Sequence, residues 1–354
     1  PNILGPVSGL TVAPDGNILI VTRYDQAAFG GSADLNVERS NSNCCQYSQA
    51  VLEFAPDGSL VRSWGGPDNG YPWPASPRGI AIDPDGNIWI GGGPAPVAGG
   101  GRGGGRGGAP AGPPPTPQFD GFVLKFSRTG QHLATYGQEG GATRMNSSMS
   151  AFAGANDFAF DGDVVYVADG FGNNRVAVVD VESGQITAVW GAYGNEPSDG
   201  VLPPYDPAAP QAQQFRSVSC VAVADDLVYV CDQGNNRIQL FETDGTYVTE
   251  VVIAPQTLGD GSVTDIAFSP DERFMYVADG MNQRVYIVNR ESLEVRTSFG
   301  VGGRYPSHFR ELGGVAVDAA GNVYTAEDGP GRRIQLFLNR GMGAVTTQHQ
   351  GPLW

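Results

Sequence analysis

Positive charge is scarce in this 354-residue chain: 21 Lys and Arg stand against 37 Asp and Glu, a formal net charge of −16. Such an acidic surface repels phosphate backbones and anionic lipid head groups, which argues against nucleic acid or a membrane as partner. Lys125 is the sole lysine, so Schiff-base chemistry has one candidate, in an expected strand. Histidine is nearly absent too: His132, His308 and His349 are spaced in no zinc motif. No apolar run approaches the roughly 18 residues of a transmembrane helix. Gly-x-Ser-x-Gly elbows, Walker loops and His-Glu-x-x-His are missing. What is plentiful is Gly (52) and Pro (26), with 40% hydrophobic residues. Both of the first two break helices, yet the apolar content suffices for a packed core. Many short strands joined by tight turns fit that balance.

Four cysteines remain: Cys44, Cys45, Cys220 and Cys231. If Val223 faces Val228 across a hairpin with loop Ala224 to Leu227, Cys220 lies opposite Cys231, close enough to bridge. The alternative is two buried thiols in a reduced protein. Adjacent Cys44 and Cys45 offer a vicinal disulfide that stiffens a loop, or a bond to another subunit. The chain starts at Pro1 without a Met, which suggests a targeting segment that was removed or left out. Together with a disulfide this places the protein outside the cell or in a periplasm.

Self-similarity organises the chain. Four segments align: Asp157-Phe-Ala-Phe…Val-Val-Tyr-Val-Ala-Asp169…Asn-Asn-Arg175-Val; Cys220-Val-Ala-Val…Val-Tyr-Val-Cys-Asp232…Asn-Asn-Arg237-Ile; Asp265-Ile-Ala-Phe…Met-Tyr-Val-Ala-Asp279…Asn-Gln-Arg284-Val; and Gly314-Val-Ala-Val…Val-Tyr-Thr-Ala-Glu327…Arg-Arg333-Ile. Units starting at Gly9 and Gly79 match the first half. Period-two alternation with Asp-Gly or Asp-Asp turns is a hairpin signal. Six four-stranded antiparallel units that cannot bury a face alone must stack radially, as an all-β, six-bladed β-propeller in one domain. Blades are expected at about 3–66, 77–138, 155–192, 217–254, 262–301 and 312–354, with insertions at about 24–47, 94–119 and 195–214. The second insertion holds a Gly/Arg run from Gly99 and then Pro113-Pro-Pro, read as a flexible loop or oligomer contact. Because the acid and arginine recur in every late blade, they read as structural ion pairs: Asp169–Arg175, Asp232–Arg237 and Asp279–Arg284.

The motif resembles the NHL repeat, and within it the peptidyl-hydroxyglycine α-amidating lyases. Val7-Ser-Gly-Leu…Pro-Asp-Gly-Asn…Arg23, Gly170-Phe-Gly-Asn-Asn-Arg175 and Val230-Cys-Asp-Gln-Gly-Asn-Asn-Arg-Ile-Gln carry the resemblance. It implies three zinc-binding histidines at the channel mouth, and matching strands puts Arg78, Ser219 and Gly313 there. The implied active-site tyrosine falls on Phe171, one arginine on Gln233, and the acid of a structural calcium site on Gly314; the other arginine is kept as Arg23. The resemblance thus implies a lyase scaffold without its metal ligands, and no zinc or other cofactor is expected.

Residues just before each first strand should face the mouth: Ser8, Arg78, Asn156, Asp157, Ser219, Thr264 and Asp265. Oxygens converging on an axis suit Ca²⁺ at Asp157 and Asp265, or a water cluster; the bland alternative is that they bond neighbouring backbone. Asn146-Ser-Ser is a glycosylation triplet. Two functions follow. One is a secreted, non-catalytic binding or assembly module that meets a protein partner, or itself, through loops of blades 1–3. The other is an enzyme with a rebuilt site using Arg23, Arg78, Asp157 and Asp265 on a small polar or peptidic substrate.

Overall fold

A computed structural model describes residues 2–23, 46–67, 69–94 and 118–341. Cys44, Cys45, His349, the Gly/Arg run and the end of the last expected blade lie outside them. Within them the chain forms six antiparallel sheets, each running in sequence order from the axis outward. Blade 4, for example, is Val218–Ala224, Leu227–Asp232, Arg237–Glu242 and Tyr247–Val252. Five blades show four strands and the sixth, Leu312–Phe337, shows three. This is the six-bladed propeller. Each inner strand packs against the inner strand of the next blade, and Leu312–Val317 of blade 6 packs against Val7–Val12 of blade 1, which closes the ring. No helix among the described residues is long and apolar enough to cross a membrane.

The apolar pattern explains why the core is divided. Strands buried on both faces contact blades on either side, so six hydrophobic wedges form, one per junction. Between blades 3 and 4, for instance, Ala159, Tyr166 and Trp190 meet Val221, Val230 and Phe241. Between blades 6 and 1, Ala316, Tyr324 and Ala326 meet Val7, Leu10, Ile18 and Ile20.

The blade 4 hairpin has the expected register: Val223 pairs with Val228 and Cys220 with Cys231. Asp225 and Asp226 turn the corner with φ of 49° and 59°, the two left-handed residues of the turn that best matches strand twist. Cys220 and Cys231, with Cα atoms 5.0 Å apart, are disulfide-bonded.

The recurrent arginines divide. Arg175, fully buried, binds Asp169 at 2.8 Å and donates to the carbonyls of Asn146, Ser148 and Ala151. Arg237 binds Asp232 at 2.9 Å and donates to Ala212 O. Each thus ties the preceding inter-blade linker to its own blade. Arg284 departs from the expectation: it is exposed and donates to Ser298 Oγ, while both Asp279 oxygens are taken by Asn282. The linker before blade 5 is held instead by Asn236, through Thr257 O and Ser262 N, which leaves Arg284 without that anchorage. The glycosylation triplet is also unusable in the folded chain, since Asn146 is fully buried with its amide nitrogen donating to Ser198 O and Asp199.

Candidate functional site at the channel mouth

Ser8, Arg78, Asn156, Asp157, Ser219, Thr264 and Asp265 all line one axial cavity of about 630 Å³, with Phe171, Gln233 and Gly313. Their side chains are far from free. Ser8 donates to Pro77 O (2.7 Å), Asn156 to Val218 O (3.0 Å) and Ser219 to Val263 O (2.8 Å); Thr264 faces Ala278 O of its own blade at 3.0 Å and Leu312 O at 3.4 Å. Pro77, Val218, Val263 and Leu312 each open the next inner strand. Equivalent positions therefore reach across the junctions between blades 1–2, 3–4, 4–5 and 5–6, the last with its shorter bond inside the blade. The junction between blades 2 and 3 has no such donor. It is closed by backbone approach at Gly79, where φ is +61° and a Cβ would stand 2.1 Å from Asn156 O.

One position further along each inner strand the six residues are Gly9, Gly79, Asp157, Cys220, Asp265 and Gly314. Asp157 accepts the Val221 amide of blade 4 at 3.1 Å, and Asp265 the Val315 amide of blade 6 at 2.8 Å. Asp265 Oδ2 lies 3.5 Å from where a Cβ on Gly314 would be, so it fills the space that this glycine leaves. Oxygens of the two carboxylates and Cys220 Sγ lie within 4.8 Å of one another. Burial pushes Asp157 up to about 7, and burial together with the Asp157 charge holds Asp265 well above the usual carboxylate range. A hard cation such as Ca²⁺ wants six to eight oxygens. Here both Asp265 oxygens already accept strand amides, of Ile266 and Val315, and the third neighbour is a disulfide sulfur. The donor set is short for Ca²⁺.

The remaining charges form a separate group. Asp328 binds Arg78 Nη1 at 2.9 Å and also pairs with Arg23. The Arg78 guanidinium lies 4.6 Å over the Phe171 ring. Burial lowers the Arg78 pKa, against the opposing pull of Asp328, and burial raises that of nearby Glu311, with the Asp328 charge adding to it. Asp328, Glu311 and Arg216 were not singled out from sequence. A signal existed for Asp328: the position after each second strand reads Arg23, Gly93, Gly170, Gln233, Gly280 and Asp328, with opposite charges on the two blades that meet at the ring closure.

The three positions that should hold zinc do not fit it. Arg78 is clamped on Asp328. Ser219 donates its hydroxyl to a carbonyl. Gly313 has no side chain, and a Cβ there would come within 2.9 Å of Asp328 Cβ. His132 stacks on Tyr71 with its Nε2 3.0 Å from Thr135 Oγ1, and His308 packs edge-on against Tyr305; neither lines the cavity.

No protein-family model matches the chain. Over 251 residues, 68% of its length, it is 25% identical to peptidylglycine alpha-amidating monooxygenase of Rattus norvegicus, covering 21% of that protein. Among solved structures it resembles virginiamycin B lyase from Staphylococcus aureus, with TM-score 0.51 and 13% identity over 97% of this chain and 88% of that one. A streptogramin B lyase aligns similarly, with TM-score 0.51 and 10% identity over 97% and 85%. Structural likeness at such identities speaks to fold alone. The chain is thus a six-bladed propeller with weak sequence similarity to peptidylglycine alpha-amidating monooxygenase and a fold like that of virginiamycin B lyase.

Proposed function

We propose that this protein is a non-catalytic binding module on a lyase-like scaffold, working in an extracellular or periplasmic compartment. One observation carries the reading: the positions matching the zinc ligands, Arg78, Ser219 and Gly313, are engaged in, or make room for, internal contacts. Lewis-acid activation of a substrate hydroxyl requires a metal held with an open coordination position, and no imidazole or carboxylate at these positions is free to hold one. The guanidinium of Arg78 supplies positive charge at the mouth instead. A protein partner, or a second copy of the chain, is met by the loops of blades 1–3. The Cys220–Cys231 disulfide accords with an oxidising compartment.

Elemental analysis of the purified protein, paired with an assay on a peptidyl-hydroxyglycine, tests this. We expect substoichiometric zinc and no turnover. One tightly held zinc per chain, lost together with activity on chelation, overturns the reading in favour of a rebuilt enzyme site.

A further inference from the structure

Asp157 and Asp265 occupy the same position in blades 3 and 5 and flank the disulfide of blade 4. Each reaches forward to a strand amide of the next blade, Val221 or Val315. Among the described residues neither has a cationic partner. The charged groups around them are engaged elsewhere. Arg78, on the blade 2 inner strand, is clamped on Asp328. On the second strands behind, Asp169 is bound to Arg175, Asp232 to Arg237 and Asp279 to Asn282. Tyr166, Tyr229 and Tyr276 on those strands are pushed by burial further above 10. The blade 6 inner strand Leu312–Val317 has no ionisable side chain. Arg216, Asp260 and Glu311 line the same cavity without pairing to either aspartate.

Two half-buried carboxylates whose oxygens lie within 4.8 Å cannot both ionise cheaply, because like charges in one site raise the affinity of the pair for a proton. We propose that Asp157 and Asp265 together retain one proton at neutral pH, and that its loss sets two like charges against each other and loosens the grip of blades 3 and 5 on blades 4 and 6. The pair is then a pH-sensitive latch on the axis of the ring. Its sign is opposite to that of an ion-paired carboxylate. A group that holds its proton more tightly when folded gives its full stability below its unfolded value, about 4. That contribution drains away as pH rises to about 7, the value to which burial pushes Asp157. Asp271 works the other way, lowered to about 2 by bonds from Ser269 and Arg273, so its loss of stability falls below pH 4 and does not overlap this window.

Thermal unfolding of the wild type, Asp157→Asn and Asp265→Asn between about pH 5 and pH 8 tests the latch. Asn removes the charge and keeps one acceptor oxygen for the cross-blade amide of Val221 or Val315, giving up at position 265 the bond from the Ile266 amide. We expect the wild-type Tm to fall more steeply over this range than that of either variant, the gap widening by about 2 °C or more. Parallel profiles overturn the proposal. Should a variant fail to fold, the wild type still decides: infrared difference spectra at neutral pH should show a protonated carboxyl stretch that vanishes as the protein is titrated towards pH 8, and its absence overturns the proposal. A rise in wild-type Tm on adding millimolar Ca²⁺, absent from Asp157→Asn, means that the pair holds a metal rather than a proton and also overturns it.

Discussion

Gly313 acts through the side chain it lacks. A Cβ there would stand 2.9 Å from the Cβ of Asp328, closer than real side chains approach, so any substitution displaces Asp328 from Arg23 and Arg78. Gly313→Ala is expected to cost about 1–3 kcal/mol, the range for overpacking, and Gly313→His more. Introducing imidazoles at positions 78, 219 and 313 is therefore not expected to create a metal site, because the third collides with the Asp328 side chain. Thermal denaturation checks this, and an unchanged Tm for Gly313→Ala would show that Asp328 yields freely. The residue scale also holds the disulfide. Non-reducing peptide mapping should recover Cys220 joined to Cys231, and replacing both by Ala should cost about 2–4 kcal/mol. Two free thiols there would reject the bridge.

The second and third strands of a blade, with the arginine that opens the third, form the element that fixes the mouth-side linkers. Arg175 is fully buried, with its guanidinium shared between Asp169 and three linker carbonyls. Removing one partner of such a buried pair leaves the other charge uncompensated, so Arg175→Met should cost about 3–5 kcal/mol. Arg284→Met, at an equivalent but exposed position, should stay within about 0.5 kcal/mol. Denaturant midpoints decide, and equal losses would mean that the recurrent arginine is needed in every blade for the strand itself. The same contrast shows what the sequence reveals. Hairpin register, the Cys220–Cys231 pairing and the six-fold repeat are local, written in period-two alternation and in Asp-Asp or Asp-Gly turns, and they were legible. Whether Arg284 finds carbonyls depends on how the linker of another blade packs, and Asn236 had already taken that linker. The mouth residues were legible as a group for the same reason of repetition. That Ser8, Asn156, Ser219 and Thr264 would hold neighbouring backbone could not be separated from ligand binding until the blades were placed side by side.

A propeller must join its last blade to its first. Here blade 1 draws its four strands from Val7–Trp64 and blade 6 its three from Leu312–Phe337, so among the described residues no strand is shared across the seam. As at the junction between blades 2 and 3, the side-chain latch is missing there, because its position in blade 6 is Gly313. Among the described residues the seam is held by the apolar wedge of Val7, Leu10, Ile18 and Ile20 with Ala316, Tyr324 and Ala326, and by the pairing of Arg23 with Asp328, residues 305 positions apart in sequence. Asp328 also reaches past blade 1 to Arg78 of blade 2, so one carboxylate ties three blades. Asp328→Asn leaves two guanidiniums facing each other without their counter-ion. Their side chains are 18% and 22% exposed, so solvent screens part of the repulsion, and a loss of about 1–3 kcal/mol is expected rather than the full cost of a buried pair. Local opening should be uneven. Amides of Val7–Val12 and Leu312–Val317 should exchange faster in the variant, while those of Val218–Ala224 on the far side keep their protection. Adding Arg23→Met to Asp328→Asn should recover part of the loss, since it removes one of the two unpaired charges. Uniform acceleration of exchange in all six inner strands would mean that the ring opens as one unit and that Asp328 has no special place at the seam.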